Sequence, residues 1–184
     1  YAVSDVGYIM CGSSLRGRNR GDEMIVVRVD QAGALIWSDT YGDGNLDYSA
    51  HSIIQTDNGD FLTGGSSYNG EDRIWRFIAT LLNDNGGVIW QRDYGNGFCR
   101  AVIELKSGEF MLAGSTAGIN QGCEAQLILI DGDGEVIWRE TYNQENGNSV
   151  WFTSIREAGN GIVASGNRAV WVIKADLDNG DVIW

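Results

Sequence analysis

The sequence predicts an all-β protein, a β-propeller with four visible blades of four antiparallel strands each. Three observations lead to this fold class. A short motif ending in tryptophan recurs four times, and each recurrence follows the same order of short apolar runs. The segments between the runs are rich in Gly, Asp, Asn and Ser, which favour turns. No stretch of useful length has the period of an amphipathic helix.

The recurring motif is a glycine, a variable residue, Leu or Val, then Ile and Trp. It reads GALIW at 33–37, GGVIW at 86–90, GEVIW at 134–138 and GDVIW at 180–184. A tyrosine follows the first three tryptophans at a constant distance, at Tyr41, Tyr94 and Tyr142. Four strands in a repeat of roughly 45 residues are typical of a propeller blade. We therefore expect one β-propeller domain, 1–184, as a complete small ring or part of a larger one, with blades at 1–37, 38–90, 91–138 and 139–184.

The apolar runs place the strands of each blade in order. First strands are expected near 1–4, 50–56, 100–105 and 151–156, and second strands near 8–13, 61–66, 109–115 and 161–166. Third strands are expected near 23–30, 73–82, 124–131 and 168–176, and fourth strands begin near 34, 87, 135 and 181. The runs are rich in Ile, Val, Leu, Phe and Trp, which favour strands. Several are continuously apolar, as expected for strands buried on both faces.

The motif Gly-x-[LV]-Ile-Trp followed by Tyr-Gly resembles the β-propeller repeats of bacterial and archaeal surface and secreted proteins. These repeats are distantly similar to the blades of PQQ-dependent quinoproteins, and ADLDNGDVIW at 175–184 comes closest to their tryptophan-docking motif. The resemblance covers the whole chain and implies an extracellular or cell-surface location. It does not imply a PQQ enzyme, because the adjacent-cysteine pair of many quinoproteins is absent from the sequence. We therefore expect no cofactor.

The motif residues are predicted to be structural. The glycine lies at the turn between third and fourth strands, where Asp30, Asp131 and Asp176 cap the turn and glycine supplies positive φ. The two apolar residues are expected to pack the sheet, and the resemblance implies that the tryptophan reaches the neighbouring blade. The residues with these structural roles are Trp37, Trp90, Trp138, Trp184, Gly33, Gly86, Gly134 and Gly180.

Charge and composition exclude several classes of partner. The chain has 25 acidic and 13 basic residues, a net charge of −12, which argues against nucleic acid and anionic membrane surfaces. No apolar run approaches the ~20 residues that cross a bilayer, so the chain is not expected to span a membrane. The sequence begins at Tyr1 with no Met or signal peptide, and we expect a processed or partial chain.

Single residues offer little sign of catalysis. His51 is the only histidine, and no nucleophile motif accompanies it, so we expect a structural role. The acidic turn DGDGE at 131–135 lacks the spacing of an EF-hand, and no metal site is predicted. Cys99 and Cys123 both lie near strand ends on one face of the predicted propeller, where they could form a disulfide or remain free thiols.

The connections that differ between repeats are the predicted binding surface, since constant strands with variable loops are how binding scaffolds are built. They join second to third and fourth to first strands. Their candidate ligand-binding residues are Arg16, Arg18, Arg20, Tyr48, Tyr68, Phe98, Arg100, Asn148 and Trp151. Such residues suit sugar stacking or protein contact. The sequence therefore favours a non-enzymatic interaction module that binds a protein or glycan. The alternative is a structural or assembly repeat that packs against further blades or chains; an enzyme of quinoprotein or hydrolase type is a weaker hypothesis.

Overall fold

The computed structural model describes residues 2–3, 7–14, 21–117, 122–143, 149–167 and 171–184. All regular elements in these ranges are β-strands, and within each sheet every strand pairs antiparallel with the strands next to it in sequence. The strands are β1 Ala2–Val3, β2 Gly7–Ser14, β3 Glu23–Val29, β4 Leu35–Tyr41, β5 Asp47–Gln55, β6 Phe61–Asn69, β7 Ile74–Leu82, β8 Val88–Glu104, β9 Phe110–Thr116, β10 Ala125–Ile130, β11 Val136–Tyr142, β12 Phe152–Ala158, β13 Gly161–Gly166 and β14 Val172–Asp176. The predicted all-β, antiparallel class is confirmed.

The strands form sheets of four, seven and three strands, which differs from the expected four separate sheets of four. The first sheet is β1–β4, the second runs from β5 to β11, and the third is β12–β14. The seven-stranded sheet arises because β8 is one continuous strand of 17 residues. Its first part pairs with β7 and its second part with β9, so it joins a predicted fourth strand to the next first strand.

Residues 181–184 lie along β14 and extend the third sheet as a short fourth strand would. Val182 forms an isolated antiparallel bridge to Ala175. The amide of Lys174 donates to the carbonyl of Trp184 at 2.8 Å, and the amide of Ile183 donates to Lys174 at 2.7 Å. We therefore describe four units: β1–β4; β5–β7 with the first part of β8; the second part of β8 with β9–β11; and β12–β14 with residues 181–184.

Three apolar clusters lie between successive units. The first joins Ile9, Met24 and Val26 of the first unit to the second, around Phe61 and Leu82. The second joins the second and third units, and the third joins the third and fourth. Since the two halves of the seven-stranded sheet pack on each other, β8 must change direction between its two pairing partners. Gly95, at φ 92°, lies at that position.

A contact between a tryptophan, a tyrosine and a turn recurs at the boundary between each unit and the next. The indole N–H of Trp37 donates to the carbonyl of Asp84 at 3.1 Å, and the hydroxyl of Tyr41 donates to Gly86 at 2.7 Å. Trp90 and Tyr94 bind the turn 131–135 in this way, and Trp138 and Tyr142 bind the turn 176–181. We call this the docking contact. A tryptophan and a tyrosine of one outer strand bind carbonyls of the next unit's turn.

The docking turns are built by the capping residues that the sequence indicated. The side-chain Oδ1 of Asp30 accepts from the amides of Ala32 and Ala34 at 2.9 and 2.8 Å. Asp131 makes the corresponding pair of bonds, and Asn83 takes this place in the second unit. Because both carboxylate and amide oxygens can accept two amide protons, Asp and Asn are interchangeable here.

The prediction that the two aliphatic residues before each tryptophan pack the sheet is wrong. All of them are exposed: Leu35, Ile36, Val88, Ile89, Val136, Ile137, Val182 and Ile183. They lie on the outermost strand of each unit, which has a hydrogen-bonded neighbour on one side only. At that edge the apolar clusters between units do not cover both faces of the strand, and the aliphatic side chains stay exposed.

Candidate functional site

A row of aromatic side chains crosses three units at the end of the sheets opposite the docking turns. Tyr68 and Trp75 have ring centroids 4.8 Å apart, and Trp75 and Phe98 follow at 5.1 Å. The guanidinium of Arg100 lies 5.4 Å from the Phe98 centroid and 5.6 Å from the centroid of Trp151. We call these five residues the aromatic row. It is continuous from the second unit to the fourth.

Strand register brings the first members of the row together. Tyr68 and Trp75 are cross-strand partners on β6 and β7, on either side of the connection 69–73. The turn is closed by Asn69, whose carbonyl accepts from the Arg73 amide at 2.8 Å. Aromatic partners at directly opposed positions of an antiparallel pair interact through their rings. Phe98 contacts Trp75 from the neighbouring part of β8.

The fourth unit fixes the far end of the row. The amide of Trp151 donates to the side-chain Oδ1 of Asn167 at 2.8 Å, and its carbonyl accepts from the Asn167 amide at 3.1 Å. These two bonds hold the backbone of Trp151 just before β12. Its ring therefore meets the guanidinium of Arg100 across the boundary between units.

Arg100 carries the positive charge of the row. Among the described residues it has no carboxylate within ion-pair distance, and its buried Nε has no hydrogen-bond partner. A cation over two aromatic faces is held by the electrostatic attraction of the rings. In a chain with 25 acidic residues, an arginine held by rings instead of a carboxylate keeps N–H donors for another acceptor.

His51 lies beside the row. Its Nε2 is 3.4 Å from the hydroxyls of both Ser49 and Ser66, which are 3.1 Å from each other. Desolvation and the nearby charge of Arg100 lower the pKa of His51 below its ordinary value. No carboxylate of the described residues hydrogen-bonds to this ring, so the described residues do not form an acid–base–nucleophile triad around His51.

Of the predicted ligand-binding residues, the structure brings together Tyr68, Phe98, Arg100 and Trp151. Tyr48 lies apart from them, in a cleft of about 340 Å³ between the outer strands of the first two units. Burial, followed by the charges of Asp43 and Asp93, raises the pKa of Tyr48. The other predicted residues lie outside the described residues: Arg16, Arg18, Arg20 and Asn148.

Trp75 is the member of the row that sequence reasoning missed. It is 37% exposed, although the apolar run that contains it predicted a buried strand. Its position relative to Tyr68 was the available signal. The two aromatic residues flank the Asn-Gly-Glu-Asp-Arg connection, so a hairpin closed there places them opposite each other.

Cys99 and Cys123 are free thiols in the structure, so the disulfide that their positions allowed is not formed. Cys99 is fully buried in the cluster between the second and third units, and burial raises the pKa of its thiol well above the ordinary range. Cys123 lies on a connection instead, where its amide donates to the Ser149 hydroxyl at 3.1 Å. One thiol points into a core and the other lies at a loop.

The acidic turn 131–135 uses its first carboxylate for its own backbone, since Asp131 accepts from two amides of the turn. Within the described ranges, no three His, Cys, Asp or Glu side chains come together as a ligand set for a metal.

No helix of the described part of the chain is long and apolar enough to cross a membrane. No protein-family model matches the sequence, and no curated protein is significantly similar to it.

Proposed function

We propose that the chain is a propeller-type repeat module, without catalytic activity of its own, that binds a glycan through the aromatic row. Four units in one sequence phase, packed successively and locked by the docking contact, support the blade interpretation. Its resemblance to surface and secreted repeats supports, as part of this proposal, a location outside the cell or at its surface. No cofactor is part of this proposal.

The observation that carries the binding proposal is the continuity of the row across three units. Aromatic faces suit the apolar C–H faces of sugar rings, and neighbouring polar groups then fix the orientation of the hydroxyls. Trp75 offers exposed ring surface, and Arg100 offers N–H donors without a carboxylate partner among the described residues. A row that continues over three units suits an oligosaccharide of several sugars better than a small compact ligand.

A glycan array of neutral and acidic oligosaccharides tests the proposal, with the best ligand then titrated by calorimetry. Trp75→Ala is the informative variant because this side chain is exposed and outside the three core clusters. We expect it to weaken binding at least about tenfold, or about 1.4 kcal/mol. Trp184→Ala is the matched control, since it removes an exposed tryptophan that takes no part in the contacts of the row.

Two results contradict glycan binding. One is an array without a ligand above background. The other is a ligand whose affinity for Trp75→Ala equals that for the wild type and for Trp184→Ala. Capture of a protein partner through the same row, with no glycan bound, also replaces the proposal.

A further inference from the structure

The first strand of the second, third and fourth units carries a β-bulge at the same place. In β5, Ala50 and Ser52 pair with successive residues of β6, so His51 between them has no partner in the ladder. Arg100 of β8 and Thr153 of β12 are the extra residues at the corresponding positions. A bulge aims the side chain of its extra residue in a new direction, and bulges are over-represented next to active sites.

A glycine on the neighbouring strand makes room for each bulge. This glycine pairs with the residue just before the bulged one, and a Cβ on it would clash with the backbone carbonyl oxygen two residues before the bulged position. Because glycine lacks a Cβ, the two backbones can approach this closely. The same close approach recurs in three units, so the bulges belong to the repeat. The glycines are Gly65, Gly114 and Gly166, under the carbonyls of Ser49, Phe98 and Trp151.

The bulges of the second and third units bring His51 and Arg100 close together beside the aromatic row. The hydroxyl of Ser52, next to His51, accepts from the amide of Val102 at 3.3 Å, so the two first strands lie side by side. Desolvation, followed by the charge of Arg100, lowers the pKa of the imidazole. On its other side, the guanidinium of Arg100 lies 5.6 Å from the ring centroid of Trp151 in the fourth unit.

The described groups at this point offer hydrogen-bond donors. Among the described residues, no carboxylate forms an ion pair with Arg100. The hydroxyls of Ser49 and Ser66 both lie 3.4 Å from Nε2 of His51. When either hydroxyl donates to Nε2, the proton of the neutral imidazole is on Nδ1, which makes no hydrogen bond to a described residue. The ring N–H and the guanidinium are then available to one ligand.

We propose that these two bulges form a carboxylate-binding site within the aromatic row, in which Arg100 binds both carboxylate oxygens and His51 donates a further hydrogen bond. A planar guanidinium binds a carboxylate through two parallel hydrogen bonds. The ligand class is therefore an acidic oligosaccharide, with a uronic acid at Arg100 and neighbouring sugars on the rings of Trp75 and Trp151. This inference rests on the proposed glycan binding and narrows it, because the rings alone do not distinguish acidic from neutral sugars.

Matched pairs of oligosaccharides test the charge preference. Oligomers of galacturonic, glucuronic, mannuronic and guluronic acid are arrayed beside their carboxyl-reduced forms, which keep the sugar rings and lose the charge. Calorimetry then measures the affinity of the best pair. We expect the acid to bind at least about tenfold more tightly than its reduced form, and the preference to shrink as salt is added.

Two results of the array are distinguishable. Equal binding of acidic and reduced forms, or binding confined to neutral glycans, overturns the carboxylate site but leaves glycan binding intact. An array with no ligand of either kind contradicts the proposed function as well.

Arg100→Gln tests the residue on which the site depends. We expect the preference for the acid over its reduced form to fall from about tenfold to within about twofold. Arg139→Gln is the matched control, since it makes the same change in net charge at an exposed position on the outermost strand β11, and it should keep the full preference. An Arg100→Gln variant with the wild-type preference overturns the proposal.

Three further variants separate charge recognition from stacking and from folding. Trp75→Ala should weaken both forms by the same factor, whereas His51→Ala should weaken the acid alone, by about threefold. Arg100→Lys keeps the charge without the paired donors, and its preference should lie between those of the wild type and Arg100→Gln. If circular dichroism shows that Arg100→Gln is unfolded, Arg100→Lys decides: an undiminished preference contradicts binding through the guanidinium.

Discussion

The hydroxyl of Tyr94 is the docking group whose removal gives the clearest energetic prediction. It donates to the carbonyl of Gly134 at 2.9 Å, and both residues are buried at the boundary between the second and third units. Burial raises the pKa of Tyr94, so the hydroxyl remains a protonated donor throughout the neutral range. In Tyr94→Phe the ring stays, but the Gly134 carbonyl loses its partner where water does not reach.

An unsatisfied buried carbonyl costs about 1–3 kcal/mol. For a chain of this length, each kcal/mol lowers the midpoint of thermal unfolding by about 2–4 °C. Guanidinium and thermal unfolding, followed by circular dichroism, measure both quantities. Tyr8→Phe is the control, because that hydroxyl is on a half-exposed ring, and its cost should stay within about 0.5 kcal/mol. If Tyr94→Phe is no less stable than Tyr8→Phe, the docking contact does not hold the units together.

Three further predictions concern a turn, a titration and a thiol. Gly180→Ala should destabilise the protein more than Gly159→Ala in guanidinium unfolding, since both have positive φ but only a Cβ on Gly180 meets an indole ring; equal losses would contradict this. Because the pKa of His51 is lowered in the folded state, the unfolded chain binds more protons, and the free energy of unfolding should fall as pH drops through about 6.5. His51→Gln should flatten the dependence of the free energy of unfolding on pH in this range. An unchanged slope would show that His51 does not cause the loss of stability. In native protein a thiol reagent should modify Cys123 but leave buried Cys99 intact until denaturant is added, as peptide mass mapping would reveal; early labelling of Cys99 would be the contrary result.

The repeats could be predicted from the sequence because each half of the docking contact is encoded by a few residues close together in the chain. A glycine that needs positive φ, an Asp or Asn that caps the turn, and a tryptophan in constant phase are visible without knowledge of the fold. The positions of the strands could then be predicted relative to these residues. The second strand expected near 61–66 is β6, Phe61–Asn69, and the third expected near 124–131 is β10, Ala125–Ile130.

Features that depend on pairing between distant residues could not be read in this way. The merging of two predicted strands into β8 depends on a short connection around Gly95, where a bulge lets the strand change direction between its two pairing partners. Exposure of Val88 and Ile89 depends on their place at the outer edge of a unit, which their apolar character does not encode. The residues predicted for the variable loops include four members of the aromatic row, but the structure places Tyr68, Phe98 and Arg100 in the strands β6 and β8. Trp75 was missed because it was assigned to a buried strand, although its hairpin register with Tyr68 is local in sequence.

The structure assigns the constant and variable tryptophans to different tasks. Trp37, Trp90 and Trp138 bind carbonyls at one end of the units, whereas Trp75 and Trp151 lie in the row at the other end. Destabilising variants should therefore concentrate at the first end, and variants that impair binding at the second. If the row binds a glycan as proposed, substitutions at the two ends should change stability and affinity separately.

Indole N–H resonances measured during titration with the strongest oligosaccharide of the glycan array test the central claim most directly. The account predicts that the signals of Trp75 and Trp151 shift with the ligand, while those of Trp37, Trp90 and Trp138 stay in place. Shifts confined to the docking tryptophans, or no shift at all at saturating ligand, would contradict it.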